Sequence, residues 1–67
     1  MSEAMDETRE RLERTEALLK RVEELSQRLE QTEEPDTVIE LLAEMAEVAK
    51  QVEAEISAAK RAADARA

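Results

Sequence analysis

Apolar residues recur along the chain at alternating spacings of three and four, the pattern of a helix with one buried stripe. The first half repeats in this way from Met5 to Leu29, and the second half from Val38 to Ile56. Between them lies a short polar stretch that contains the only proline, Pro35. Because the residue before a proline is pushed out of helical geometry, the first helix should end there. The pattern therefore predicts two helices joined by a short turn.

The predicted elements are a helix at 2–31, a turn at 32–36 and a helix at 37–65, within a single domain spanning 1–67. Asp36 or Thr37 caps the second helix in one interpretation, and Pro35 occupies its first position in the other. A turn this short makes the two helices antiparallel neighbours. The predicted fold class is all-α: an antiparallel, coiled-coil-like helical hairpin.

Each predicted helix has a seam of core positions that faces the other helix. Thr8, Thr15 and Ser26 also lie on this seam, where small hydroxyl side chains commonly bond a backbone carbonyl four residues earlier. The predicted hairpin core consists of Leu12, Leu19, Val22, Leu29, Val38, Leu42, Met45, Ala49, Val52 and Ile56.

A second apolar strip runs beside the predicted seam, on matching flanks of the two helices. Two helices cannot bury so wide a stripe, whereas four can. We therefore expect the hairpin to form part of a four-helix bundle, through self-association or with a protein partner. The predicted partner interface consists of Leu18, Leu25, Ile39, Leu41, Ala46 and Val48.

Composition argues against most kinds of chemistry. The 67-residue chain has no His, Cys, Gly or aromatic residue, and its formal net charge is −8. A nucleophile would lack its base, a phosphate-binding loop its glycines and a di-iron bundle its histidines, so we expect no catalysis, cofactor or metal. The acidic balance argues against nucleic acid and anionic membranes as direct partners. No apolar run marks a secretory signal or membrane span, so a cytoplasmic location is expected.

Between Leu29 and Lys60 the chain carries the pair Leu29-Glu30, a proline in the connection at Pro35, the step Val48-Ala49-Lys50, and the apolar residues Val52 and Ile56. With these features the segment resembles the small subunit of bacterial exodeoxyribonuclease VII. The resemblance implies a helical hairpin that is a non-catalytic subunit wrapping a large nuclease subunit, and it carries over no catalytic residue.

Two alternatives stand beside a non-catalytic assembly subunit. An acidic run on the second helix suits a small regulator, such as an anti-sigma factor or an adaptor, with a basic protein partner. A basic stripe on the first helix suits the phosphates of a nucleotide messenger held between two hairpins. Solvated faces, with charges paired to neighbouring glutamates, are the simpler interpretation of both patterns. The acidic run consists of Glu40, Glu44 and Glu47, and the basic stripe consists of Arg14, Arg21 and Arg28.

Overall fold

The computed structural model describes residues 3–66, which form two long helices, α1 (Glu3–Glu30) and α2 (Pro35–Arg66). The two helices pack together as a helical hairpin, and no strand occurs among the described residues. The all-α class predicted from the sequence is therefore confirmed. The predicted start of the first helix, at Ser2, lies outside the described residues.

The end of α1 is formed by short-range backbone hydrogen bonds. The Gln31 amide donates to the Arg28 carbonyl at 3.2 Å, and the Thr32 amide donates to the Leu29 carbonyl at 3.3 Å. The Thr32 hydroxyl also donates to the Arg28 carbonyl, at 2.6 Å. These bonds tighten the last turn and satisfy carbonyls that have no partner further along the helix. The chain therefore leaves the helix without a glycine.

Helix α2 begins at Pro35, two residues earlier than predicted, and ends at Arg66, one residue later. The Val38 amide donates to the Glu34 carbonyl at 3.0 Å. Proline suits the first position of a helix because the amide it lacks would have no helical partner there, and because its φ is already helical. Of the two predicted ways to start this helix, the structure adopts the one at Pro35.

The core of the hairpin lies in the half next to the turn. Its buried residues are Leu25, Leu41 and Val48, which are 0, 3 and 6% exposed. The partly buried residues packed against them are Leu18, Val22, Leu29 and Met45. On each helix these positions alternate in steps of three and four, which is the spacing of a heptad seam.

The predicted seam and the predicted outer strip exchange places in the structure. Four residues predicted to contact a partner are instead packed between the two helices: Leu18, Leu25, Leu41 and Val48. Five residues predicted to lie in the core are instead exposed: Leu12, Leu19, Leu42, Ala49 and Ile56. The remaining predicted core residues are at least partly buried: Val22, Leu29, Val38, Met45 and Val52.

The reason for the exchange is the size of the side chains that each set of seam positions would place in the core. The predicted set of seam positions and the observed set, called here the two heptad frames, both contain Val22 and Met45. They differ by one residue at the positions between these. The predicted frame would place Ser26 and Ala49 in the centre of the core, where the observed frame has Leu25 and Val48. The observed frame buries more apolar surface and leaves the Ser26 hydroxyl at the edge.

Towards the open end of the hairpin the seam becomes polar. Arg11, Thr15 and Glu55 are only partly buried there. The Thr15 hydroxyl donates to the Arg11 carbonyl at 2.9 Å, and the Thr8 hydroxyl donates to the Ala4 carbonyl at the same distance. Both threonines therefore bond the carbonyl four residues earlier, as predicted.

Candidate protein interaction face

The two broad faces of the hairpin differ in chemistry. A step of one residue rotates a side chain by about 100° around the helix axis, so residues just after and just before a seam position lie on opposite sides. Leu19 and Leu42 each follow a seam leucine, and both lie on the first face. Arg21 and Glu44 each precede a seam residue, and both lie on the second.

The first face, called here the apolar face, is the candidate interaction site. Its large side chains are about half exposed: 57% for Leu12, 52% for Leu19 and 54% for Ile56. Single apolar residues on a surface are ordinary, but several on one side of a hairpin make that side a candidate interaction site. The apolar face consists of Leu12, Leu19, Leu42, Ala49 and Ile56, together with Ile39 and Ala46, which lie about one helical turn before Leu42 and Ala49.

Charged residues border the apolar face on both helices. They recur every seven residues along the α1 edge, whereas the α2 edge carries charges only towards the open end, because Ile39 and Ala46 occupy the same row nearer the turn. An apolar centre within a charged rim is the usual anatomy of a protein interface. The rim residues are Arg9, Glu16, Glu23 and Glu30 on α1, and Glu53 and Lys60 on α2.

The second face carries an ion pair between the helices. Arg21 bonds Glu44 across the hairpin, and its guanidinium also lies 3.8 Å from the carboxylate of Glu24 on its own helix. One residue of the acidic run and one residue of the basic stripe therefore bind each other. A basic partner on the acidic run, or a nucleotide on the basic stripe, would have to displace this pair.

Glu55 is the centre of a second group of contacts between the helices. Its Oε1 lies 3.4 Å from Arg11 Nη1, and its Oε2 lies 3.2 Å from Arg14 Nε. Because Glu55 and Arg11 occupy seam positions, this group favours one register of the two helices over others. Beside it lies an open groove of about 450 Å³, lined by Arg14, Ala17, Leu18, Gln51, Ala54 and Glu55.

No family model, curated protein or solved structure matches this chain. Within residues 3–66, no helix is long and apolar enough to cross a membrane. The same residues contain no group of three or more Asp or Glu side chains placed to hold a metal ion. The function is therefore inferred from the chemistry of the two faces.

The apolar face contains only two of the six residues predicted to contact a partner, Ile39 and Ala46. The other four form the core. The large residues of the face carry a clear sequence signal, a repeat of seven, but that repeat predicts a core seam equally well. Ser26 and Ala49 are the signal that distinguishes the two frames, because both are poor core residues beside Leu25 and Val48.

The Glu55 contacts should stabilise the hairpin by a modest amount. Glu55→Gln keeps the size of the side chain but removes its charge from both arginines. Because the group is partly exposed, we expect the free energy of unfolding to fall by about 1 kcal/mol, measured by urea denaturation, and the loss to shrink at high salt. Glu53→Gln, an exposed neighbour on the same helix, is the matched control and should change the value by less than about 0.5 kcal/mol. Equal effects of the two substitutions would show that the arginine contacts carry no energy.

Proposed function

We propose that this protein is a non-catalytic assembly subunit that binds protein through its apolar face. The observation that carries the proposal is the exposure of Leu12, Leu19, Leu42 and Ile56 along one side of the hairpin. Covering this surface is favourable because each square ångström of apolar area removed from water contributes about 25 cal/mol. A chain without His or Cys offers few groups for catalysis, and its acidic balance disfavours nucleic acid.

The contacts across the hairpin support an antiparallel arrangement. Arg21 contacts Glu44 nearer the turn, whereas Arg11 and Arg14 contact Glu55 further from it. In an antiparallel pair, the apolar residues of the two helices form one continuous surface. A second pair of helices laid on this surface completes a four-helix bundle.

The resemblance to the small subunit of exodeoxyribonuclease VII supplies one specific version of the proposal. In this version, the apolar face attaches the hairpin to a large nuclease subunit in the cytoplasm. The large subunit carries the chemistry, and no residue of this chain touches the nucleic acid. A regulator that binds a basic protein is the weaker proposal, because Arg21 already contacts Glu44 in the acidic run.

The double variant Leu12→Gln/Ile56→Gln tests the proposed function. Both positions lie outside the seam, so the hairpin should remain helical while its assembly is lost. Affinity-tagged wild-type chain, isolated from the cells that produce it, should elute in a complex larger than a monomer, with its components identified by mass spectrometry. The double variant should elute as a monomer.

The matched control is Lys20→Gln/Lys50→Gln, which changes two exposed residues away from the apolar face. This control should assemble as the wild type does. A wild-type chain that is a helical monomer both in the cell extract and after purification at micromolar concentration would refute the proposal.

A further inference from the structure

We infer that the apolar face binds a second copy of this chain, related by a two-fold axis that places the two turns at opposite ends of a four-helix bundle. The inference rests on the proposed function, because it names the occupant of the same face. Three features carry it: the size of the face, the distribution of large and small residues along it, and the charges on its rim.

The size of the face suits a second copy of the chain. The hairpin extends 49 by 19 by 11 Å along its principal axes. A second hairpin of the same dimensions is long and wide enough to cover the whole face.

Large and small residues on the face are arranged in levels. The contacts of Arg21 with Glu44 and of Arg14 with Glu55 set the register of the two helices. In this register, three successive levels of the face can be named from the open end to the turn. They are the open-end level (Leu12 and Ile56), the middle level (Leu19 and Ala49) and the turn-side level (Ser26 and Leu42). Ser26 belongs to this face because it directly follows the seam residue Leu25.

With a two-fold axis through the middle level, large and small side chains are distributed evenly over the layers of the dimer. The open-end level of each copy then meets the turn-side level of the other, so that the small Ser26 lies opposite the large Leu12. The middle level of one copy packs on the middle level of the other, and this layer contains two leucines and two alanines. With both turns at the same end, four large side chains would crowd into the open-end level while two serines shared the turn-side level. Even layers pack closer to native density.

The rim charges also favour turns at opposite ends. In that arrangement the α1 helices of the two copies are neighbours and run in opposite directions. Arg9 of one copy then lies level with Glu30 of the other, which is an attractive pair. Glu16 lies level with Glu23 of the second copy, which is a repulsive pair, so the two contacts offset each other.

Turns at the same end would make α1 a neighbour of α2 from the second copy. Arg9 would then lie level with Lys60, and Glu16 with Glu53. Both contacts are between like charges and none offsets them. Like charges facing each other across an interface disfavour this arrangement relative to the one with turns at opposite ends.

Single cysteines test this arrangement directly, because the chain contains none of its own. In the proposed dimer, Leu19 lies at the axis beside Leu19 of the second copy. Leu19→Cys should therefore form a covalent dimer under mild oxidation, and Ala49→Cys should do the same. Leu12→Cys should cross-link weakly alone and strongly when mixed with Ser26→Cys. Gln27→Cys, on the exposed outer side of α1, is the control and should stay monomeric on the denaturing gel.

Charge complementation gives a second, independent readout. Leu19→Glu and Leu19→Lys should each weaken self-association about a hundredfold, because like charges then meet at the axis. Mixing the two variants should restore a dimer, measured by light scattering after size exclusion.

The outcomes separate this inference from the proposed function. A wild-type dimer in which Leu19→Cys cross-links only to Ala49→Cys would overturn the two-fold arrangement. A purified wild-type chain that is monomeric, while the assembly isolated from cells still depends on Leu12 and Ile56, would overturn the second copy as occupant. The proposed function would then stand with a different protein on the apolar face.

Discussion

Leu25→Ala should lower the free energy of unfolding by about 2–5 kcal/mol, the range for truncating a buried leucine. Leu25 is the only described side chain with 0% exposure, and it packs against Leu41 and Val48. A 67-residue hairpin has a thin core and little stability in reserve, so a loss of this size removes most of the folded population. The measurement is urea denaturation followed by far-ultraviolet circular dichroism.

Leu19→Ala is the matched control for this prediction. It makes the same chemical change on the same helix, but at a side chain that is 52% exposed. In solutions dilute enough to keep the chain monomeric, it should lower the free energy of unfolding by less than about 1 kcal/mol. Equal losses of unfolding free energy for the two variants in dilute solution would contradict the placement of Leu25 in the core and of Leu19 outside it.

Val48→Asp should unfold the hairpin at neutral pH. Val48 is 6% exposed and faces Leu25 and Leu41, with no polar group in that cluster to receive a carboxylate. An unpaired charge in such a position costs several kcal/mol, which is comparable to the whole stability of a small domain. Circular dichroism at neutral pH should show a large loss of helicity.

The effect of Val48→Asp should also depend on pH in a defined direction. Desolvation raises the pKa of the introduced carboxyl in the folded state above its unfolded value of about 3.9. The penalty is therefore smallest in acid, where the carboxyl is neutral in both states, and it grows as the pH rises through the folded pKa. Ala43→Asp, at an exposed position of the same helix, is the control and should show no comparable recovery in acid. Identical pH profiles for the two variants would place residue 48 outside the core.

The sequence predicts the helices well because the signals for them are local. Pro35 begins the second helix through its own ring geometry and keeps Glu34 out of helical geometry, so the break between the helices is predicted from a single residue. The hydroxyls of Thr8 and Thr15 bond carbonyls four residues away, which is also a local effect. Such features depend on neighbours within one helical turn, and a periodic sequence displays them directly.

Periodicity alone does not determine which seam faces the other helix, because both heptad frames are periodic. Leu19 and Leu25 each belong to a repeat of seven, and either repeat can face the other helix. What decides between them is the sum of contacts across the hairpin, where Leu25 meets Leu41 and Val48. The ion pair of Arg21 with Glu44 joins residues far apart in the chain, and no local rule predicts it. Four of the six residues predicted to contact a partner, Leu18, Leu25, Leu41 and Val48, therefore lie between the two helices instead.

The uneven seam gives the hairpin a direction of folding. Its large apolar contacts lie beside the turn, where few residues separate the partners and little entropy is lost on closing the loop. The contacts of Glu55 with Arg11 and Arg14 join much more distant residues, and beyond them the seam is small and polar. We expect the helices to close from the turn outwards, and folding to be rapid because most contacts are local. The open end should then form last and separate first, so the outer parts of α1 and α2 should part while the core beside the turn stays closed.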